Sequence, residues 1–233
     1  MTENSAVKRV VVAHDADTLA VAVADRFYAR IGKRTRAGKT VHVCLTGGGM
    51  GTAVLAAAGA HPDAAGLDWS HVHFWWGDER FVAAGSADRN ETGATEAFFS
   101  KVPVPAENIH RMGSSDGGRD LDDAAATYAA ELAVFGPAPT TATGVVSGAW
   151  PSFDICFLGV GPDGHIASLF PDRAEIGITD AAAVPVRDSP KPPPERITLT
   201  RPVINSSKRV WLVVAGADKA SALGLALAGA SYH

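Results

Sequence analysis

Three apolar segments of this chain each end in a turn that contains glycine, and this arrangement constrains the fold more than any other feature. The segments are residues 41–45, 72–76 and 153–160. Their length and their β-branched and aromatic content are typical of buried strands. Segments with helical periodicity lie between them, and such alternation favours a mostly parallel sheet. Because parallel strands end at the same edge of a sheet, we expect the turns at Gly47, Gly77 and Gly159 to lie together.

The rest of the chain extends this pattern to an α/β fold. We predict a doubly wound, mostly parallel sheet with helices on both faces, in a single domain over residues 1–233. Asp15 is expected to cap the first helix and Asp218 the last. Residues 135–150 are rich in Gly, Pro, Thr and Ala, which predicts an exposed loop. The prolines of residues 189–194 exclude a helix or an inner strand there. Further strands are predicted at 7–13, 183–186, 197–200 and 209–215, and helices at 15–33, 50–58, 90–100 and 120–134.

The composition disfavours several classes of protein. The 233 residues carry a formal net charge of −4, which does not suit a nucleic-acid surface. Residues 1–5 lack the profile of a signal peptide. No apolar run approaches the roughly 18 residues that a membrane span requires. We therefore expect a cytoplasmic protein, a monomer or a weak homo-oligomer, with no nucleic-acid or membrane partner.

The cysteines and histidines do not predict a metal site. Cys44 and Cys156 lie in apolar strand segments and are expected to be buried, reduced thiols. No spacing of cysteine and histidine indicates zinc. His71 and His73 share a strand face, but no third ligand is evident, so we interpret them as structural.

The glycine-rich turn after the third apolar segment carries the strongest candidate for catalysis. It exposes Asp163 and His165, two residues apart. Ligands of open α/β sheets bind at the carboxyl ends of strands, and histidine is suited to proton transfer near neutral pH. The turn also matches the GxGxxG pattern of dinucleotide-binding proteins. Because Pro171 shortens any helix that follows, we disfavour that interpretation.

Glycine-rich and basic segments suggest an anion site. The Thr46-Gly47-Gly48-Gly49 loop joins a strand to a helix, where backbone N–H groups favour phosphate, although a plain tight turn has the same composition. Arg80 offers a planar fork of donors, and Asp78 would accept from sugar hydroxyls or hold Arg80. Lys191 and Arg196 flank the stiff proline run, which suits either an anion clamp or a solvated basic loop.

Four motifs follow one another between residues 45 and 199. They are Leu45-Thr46-Gly47-Gly48-Gly49, Trp76-Gly77-Asp78-Glu79-Arg80-Phe81-Val82, residues 158–171 and residues 189–199. Together they resemble the 6-phosphogluconolactonase family, within a wider group that includes glucosamine-6-phosphate deaminases and sugar-phosphate isomerases. The resemblance implies a modified Rossmann-like fold and hydrolysis of a small phosphosugar lactone, 6-phospho-D-glucono-1,5-lactone, in the oxidative pentose phosphate pathway. It also implies no metal and no organic cofactor.

The resemblance also implies roles for individual residues. His165 matches the family's general base, which would activate water for attack on the lactone, and Asp163 matches its acidic neighbour. Basic residues around the substrate's phosphate match Arg80, Lys191 and Arg196. The implied substrate-binding residues are Thr46, Gly47, Gly48, Gly49, Asp78, Arg80, Asn90, Lys191 and Arg196.

Two other functions remain open from the sequence. Deaminases of the wider group share Gly164-His165-Ile166-Ala167 and continue with Phe-Asn-Glu-Pro, where the Glu is catalytic. This chain has Ser168-Leu169-Phe170-Pro171 instead, which favours the lactonase, whereas Ile166 replaces the Thr more usual in lactonases. A non-catalytic sugar-phosphate binding protein is the third possibility. The short N-terminus and the negative charge disfavour a DNA-binding regulator of that kind.

Overall fold

Alternating strands and helices occupy most of the chain in the computed structural model, which describes residues 9–137 and 150–228. Asp15 caps the first helix as predicted, because its carboxylate accepts the Thr18 N–H at 2.7 Å. The strands are β1 (Val41–Leu45), β2 (Val72–Trp76), β3 (Asp78–Arg80), β4 (Ile155–Leu158), β5 (Ala183–Val186), β6 (Arg196–Leu199) and β7 (Val210–Leu212). The helices are α1 (Ala16–Thr35), α2 (Gly48–Gly59), α3 (Asn90–Ala94, continued by a π-helical turn, Thr95–Phe99), α4 (Leu121–Val134), α5 (Arg201–Asn205) and α6 (Ala220–Ala228).

Four strands form a parallel sheet in the order β2-β1-β4-β7, which confirms the predicted mixed α/β fold with mostly parallel pairing. In the pairing of β1 with β2, Leu45 lies opposite Trp76. The turns after β1, β2 and β4 meet at one edge, as expected. The Gly77 N–H donates to the Leu45 carbonyl at 2.9 Å, and the Gly159 N–H donates to Thr46 Oγ1 at 3.3 Å. Segments far apart in sequence therefore share this edge.

Three further strands form an antiparallel sheet in the order β3-β6-β5, which the sequence did not predict. The expected turn after β2 consists of Gly77 alone, because the charged residues that follow it form β3 instead of continuing the turn. The three consecutive charged residues of β3 show no apolar alternation that would indicate a strand. Gly77 joins the two sheets, because its N–H pairs with β1 and its carbonyl accepts the Leu199 N–H of β6 at 2.8 Å. The second sheet places Arg80 opposite Arg196, close to the edge where the turns meet.

Other differences concern the ends of the chain. Residues 9–13 form no strand, and Val10 and Val12 are 64% and 88% exposed, since no neighbouring strand covers them in the described structure. The last strand, β7, is shorter than predicted. Asp218 forms an ion pair with Lys219 at 3.0 Å in a 3-10 turn before α6, so its predicted capping role was wrong. Most of the predicted loop at 135–150 lies outside the described residues.

The core packs β1, β2 and β4 against α1, α2 and α4. Tyr128 of α4 fixes that helix over β2, because its hydroxyl accepts the Trp76 N–H at 2.9 Å. Tyr28 of α1 donates to the Ala58 carbonyl of α2 at 2.8 Å. Burial of such large side chains is the main stabilising contribution to the fold. None of the helices in the described ranges is long and apolar enough to cross a membrane.

Candidate active site

His165 and Asp163 form a hydrogen-bonded pair in the turn after β4, which spans residues 159–165. Nδ1 of His165 lies 2.6 Å from Oδ1 of Asp163. Two backbone hydrogen bonds close the turn: the Gly161 N–H donates to the His165 carbonyl, and the Gly164 N–H donates to the Gly161 carbonyl, both at 2.9 Å. A Cβ at Gly161 would lie 2.1 Å from Nδ1 of His165. Glycine is therefore required there for both side chains to fold over the backbone.

Lys191 brings a positive charge to the Asp163–His165 pair. Its Nζ lies 3.2 Å from Oδ1 of Asp163 and 3.3 Å from Nδ1 of His165. Partial burial opposes ionisation of Asp163, but hydrogen bonds from His165 and Lys191 outweigh it and lower the pKa of Asp163 to about 2. The ionised carboxylate accepts the Nδ1–H, so the neutral imidazole keeps its lone pair on Nε2.

The second ring nitrogen of His165 is the one open to a reactant. No side chain or backbone group in the described part of the chain forms a hydrogen bond with Nε2, and the His165 side chain is 17% exposed. A neutral histidine with one nitrogen held by a carboxylate and the other open can remove a proton from water.

The glycine-rich loop at residues 46–49 leads into α2 and leaves the start of that helix open. Gly47 precedes the helix, and no side chain caps its first turn. Gly47 also packs tightly on Asn90, since a Cβ there would lie 1.7 Å from Asn90 Oδ1. Thr46 ties this loop to the His165 turn by accepting the Gly159 N–H. Unpaired N–H groups and the helix dipole favour an anion at this position.

A cavity of about 270 Å³ lies beside the start of α2. Arg80 lines it and donates from Nη1 to Asn90 Oδ1, while its Nε is buried without a hydrogen-bond partner among the described residues. Because Arg80 lines the cavity, an anion bound there would accept hydrogen bonds from its guanidinium. The cavity therefore combines two features that attract an anion.

The proline turn, residues 189–195, connects this cavity to the Asp163–His165 pair. Pro192 and Pro193 line the cavity, and the adjacent Lys191 contacts the pair. His165 itself does not line the cavity, so the candidate base is separate from the residues that would bind an anion there.

Asp78 and Arg196 lie beneath the site rather than on its surface. They are 6% and 4% exposed, which makes them the most buried of the predicted substrate-binding residues. Asp78 Oδ2 accepts the Ser168 hydroxyl at 2.7 Å and lies 3.9 Å from Nη1 of Arg196. This role of Ser168 could not be predicted from the sequence, because a serine after a turn gives no signal of burial.

A buried charged network behind Arg80 was also missed. The Glu79 carboxylate accepts the N–H groups of Arg80, Asn90 and Glu91 at 2.7–2.8 Å. Burial raises the pKa of Glu79, although the Arg89 charge and these N–H groups act in the opposite direction. Arg89 donates to four backbone carbonyls. The only sign of this network in the sequence is the mixture of acidic and basic residues near Arg80 and Asn90. A solvent-exposed surface segment has the same mixture of charges.

The described ranges, 9–137 and 150–228, hold no group of three or more His, Cys, Asp or Glu side chains arranged to bind a metal ion. Cys44 and Cys156 are free and buried, as predicted, and lie opposite each other in β1 and β4. Burial raises the pKa of the Cys44 thiol, and neighbouring Cys156 adds to this effect. The Cys44 thiol is therefore not a nucleophile near neutral pH.

Comparisons of sequence and of structure with known proteins point to the same family. A family model described as glucosamine-6-phosphate isomerases/6-phosphogluconolactonase matches residues 14–233. The 6-phosphogluconolactonase of Streptomyces coelicolor is 43% identical over 224 residues, which are 95% of this chain and 84% of that protein. The crystal structure of a Thermotoga maritima 6-phosphogluconolactonase superposes with a TM-score of 0.76 at 26% identity, covering 91% of this chain and 86% of the other. A monomeric glucosamine-6-phosphate deaminase shares the fold, with a TM-score of 0.74 at 18% identity over 97% of this chain and 89% of its own.

Proposed function

This chain belongs to the family of glucosamine-6-phosphate isomerases and 6-phosphogluconolactonases, and we propose that it hydrolyses 6-phospho-D-glucono-1,5-lactone to 6-phospho-D-gluconate. This reaction is a step of the oxidative pentose phosphate pathway. The observation that carries the proposal is the Asp163–His165 pair, with an open Nε2, beside a cavity built for an anion.

His165 acts as the general base in the proposed reaction. Nε2 removes a proton from a water molecule as its oxygen attacks the lactone carbonyl carbon. Asp163 holds the ring in the required tautomer and stabilises the imidazolium that forms. The hydrogen bond between them is already in place at 2.6 Å, so neither side chain has to reorient.

The tetrahedral intermediate then collapses with cleavage of the bond between the carbonyl carbon and the ring oxygen. The imidazolium returns its proton to the departing ring oxygen, which becomes a hydroxyl group. The other product group is a carboxylic acid, which keeps the second proton of the water and then releases it to solvent to become the carboxylate. Lys191 is the cation closest to the Asp163–His165 pair and is placed to stabilise negative charge on the carbonyl oxygen. No covalent intermediate with the protein is required.

The phosphate of the substrate binds in the cavity in this proposal. Arg80 supplies guanidinium N–H groups at the wall of the cavity, and the open N-terminus of α2 at Gly47–Gly49 supplies backbone N–H groups. Asn90 holds the Arg80 guanidinium and supports the Gly47 loop. The phosphate thereby anchors the substrate at a distance from its reacting carbon.

The chain is proposed to work in the cytoplasm, as a single domain and as a monomer or weak homo-oligomer. Two buried free thiols in register on neighbouring strands support a reducing compartment. Light scattering of the purified chain measures the oligomeric state, and a stable assembly larger than a dimer would contradict the proposal.

The test is hydrolysis of freshly prepared 6-phosphogluconolactone, followed through coupled 6-phosphogluconate dehydrogenase with the spontaneous rate subtracted. We expect acceleration that depends on enzyme concentration and is lost in the His165→Gln variant. Ammonia release from glucosamine 6-phosphate, measured in parallel, tests the deaminase alternative. Acceleration of neither reaction would leave a sugar-phosphate binding protein and reject the proposed enzyme.

A further inference from the structure

Arg196 fixes the shape of the proline turn from below. Its Nε donates to the Pro193 carbonyl at 3.1 Å, and its Nη2 donates to the carbonyls of Lys191 and Pro192 at 2.9 and 3.2 Å. The Arg196 side chain is 5% exposed. Three bonds from one rigid guanidinium therefore hold the backbone that carries Lys191.

The other side of the same guanidinium faces the segment that follows His165. Nη1 lies 3.5 Å from the Ser168 hydroxyl and 3.9 Å from Oδ2 of Asp78. The guanidinium also lies over the Phe170 ring, 5.6 Å from its centre, and that ring lies 4.6 Å from the His165 ring. Arg196 thus contacts both segments that carry the charged groups of the site.

The contrast with Arg80 indicates what Arg196 does not do. Every nitrogen of the Arg196 side chain is directed at a protein acceptor. Arg80 lines the cavity and has a buried Nε without a partner in the described chain, whereas Arg196 does not line it. A phosphate at Arg196 would have to displace backbone carbonyls that no other donor could satisfy.

We propose that Arg196 is a positioning residue that clamps the proline turn to the His165 segment and so sets the distances among Lys191, Asp163 and His165. Of these two arginines, Arg80 is then the one that binds the phosphate. This inference rests on the proposed lactonase function, which supplies the role of His165. Arg80 and Arg196 lie opposite each other in the pairing of β3 with β6, but they have different roles: Arg80 binds substrate and Arg196 positions the site.

The test compares Arg196→Met with Arg80→Met, which remove the same group from opposite positions of one strand pair. We expect Arg196→Met to lower kcat by about 10- to 100-fold, because small displacements of reacting groups are costly. Its dissociation constant for 6-phosphogluconate, measured by calorimetry, should change less than about twofold. Arg80→Met should weaken that binding by about tenfold, as expected for loss of a charged hydrogen bond.

Two milder variants test the positioning role of Arg196 if Arg196→Met does not fold. Arg196→Lys keeps the charge and one donor, and should recover part of kcat with unchanged product binding. Ser168→Ala removes only one contact of the clamp and should lower kcat by a smaller factor. Thermal unfolding of each variant shows whether the comparison is made on folded protein.

The outcomes distinguish this inference from the function on which it rests. Weakened 6-phosphogluconate binding in Arg196→Met or Arg196→Lys, equal to that in Arg80→Met, would overturn the positioning role. Unchanged kcat and unchanged binding in those variants would overturn it as well. An unaltered chain that does not hydrolyse the lactone would reject the proposed function, while the binding comparison between the two arginines would still apply.

Discussion

The same contact occurs at both ends of the parallel sheet. Where the strands end, Oδ1 of Asp163 lies 2.6 Å from Nδ1 of His165, and where they begin, Oε1 of Glu131 lies 2.6 Å from Nδ1 of His110. The difference is at the other ring nitrogen. Nε2 of His110 lies 2.9 Å from Nδ1 of His73, whereas Nε2 of His165 has no partner within the described ranges. A carboxylate–imidazole pair thus offers a base only where its second nitrogen is open.

The histidine cluster at the beginning of the strands consists of His42, His73 and His110, and the surroundings of His42 and His73 favour their neutral forms. Trp75 stacks on His110 with ring centres 3.8 Å apart and donates its Nε1–H to Nδ1 of His42 at 3.1 Å. Burial, followed by the proximity of His73, lowers the pKa of His42 to about 4. Burial and the nearby His110 also lower the pKa of His73. The His42 and His73 rings are therefore neutral near pH 7 and pack as aromatic residues.

The largest expected effects come from replacing the two histidines that are compared, His165 and His110. His165→Gln should lower kcat by about 100- to 10,000-fold, as loss of a general base does, and leave the thermal midpoint nearly unchanged. His110→Gln disrupts a buried network and should cost about 2–3 kcal/mol of unfolding free energy with kcat retained. Steady-state kinetics and urea unfolding of both variants measure the two effects. Equal loss of activity in both variants would remove the distinction between the two ends.

Acid should destabilise the histidine cluster specifically. The pKa of His42 is about 4 in the folded chain and near 6.5 when unfolded, so the unfolded chain holds more protons between these values. Stability at this residue is therefore complete above about pH 6.5 and is lost as pH falls towards 4. We expect His42 to account for about 2 kcal/mol of the unfolding free energy lost between about pH 7.5 and about pH 5.

The matching variant is His42→Asn, whose side-chain oxygen can still accept the Trp75 Nε1–H. Urea unfolding at both pH values should show a smaller difference for this variant than for the unaltered chain. His71→Asn, at a histidine with a 40% exposed side chain, is the control and should leave the difference as it was. The same pH dependence in all three proteins would show that His42 does not hold its neutral form.

The smallest expected effect comes from the two carboxylates. Asp163→Asn should lower kcat by a smaller factor than His165→Gln does, because a neutral amide neither fixes the tautomer of His165 nor stabilises its protonated form. Glu131→Gln should leave kcat unchanged and cost less than about 1 kcal/mol of unfolding free energy, since the Glu131 side chain is 38% exposed. The assays are the same kinetics and unfolding. A loss of activity in Glu131→Gln would show that the two ends are coupled.

The parts of the site that are local in sequence could be predicted from the sequence. Asp163 and His165 share one turn, and glycine after an apolar strand indicates where that turn lies. The meeting of the turns at Gly47, Gly77 and Gly159 followed from the rule that parallel strands end together. The boundaries of β1, β2 and β5 were predicted to the residue, because each of these strands is an apolar run bounded by turn residues.

The parts that depend on contacts between distant segments could not be predicted. Arg196 and Lys191 are both basic residues in or near the proline run, and only the packing of β6 shows that one is buried and the other half-exposed. The antiparallel sheet was missed because β3 is three charged residues long. The histidine cluster joins positions 42, 73 and 110, whose separation in the chain gives no periodic signal. Of its members, His73 packs in the way its structural interpretation predicted.

The peptide group of Gly77 limits how this molecule can move. Because its N–H pairs with one sheet and its carbonyl with the other, the sheets cannot swing about residue 77 without breaking a hydrogen bond. A hinge needs a segment that absorbs changes in backbone dihedral angles. Only Gly77 lies between β2 and β3, and both its N–H and its carbonyl are hydrogen-bonded, so no such segment exists there. Arg80, three residues further on, is thereby kept at a constant separation from the His165 turn. We expect this rigid frame to select sugar phosphates by the span between phosphate and carbonyl carbon, so that a lactone phosphorylated at another carbon binds out of reach of the base.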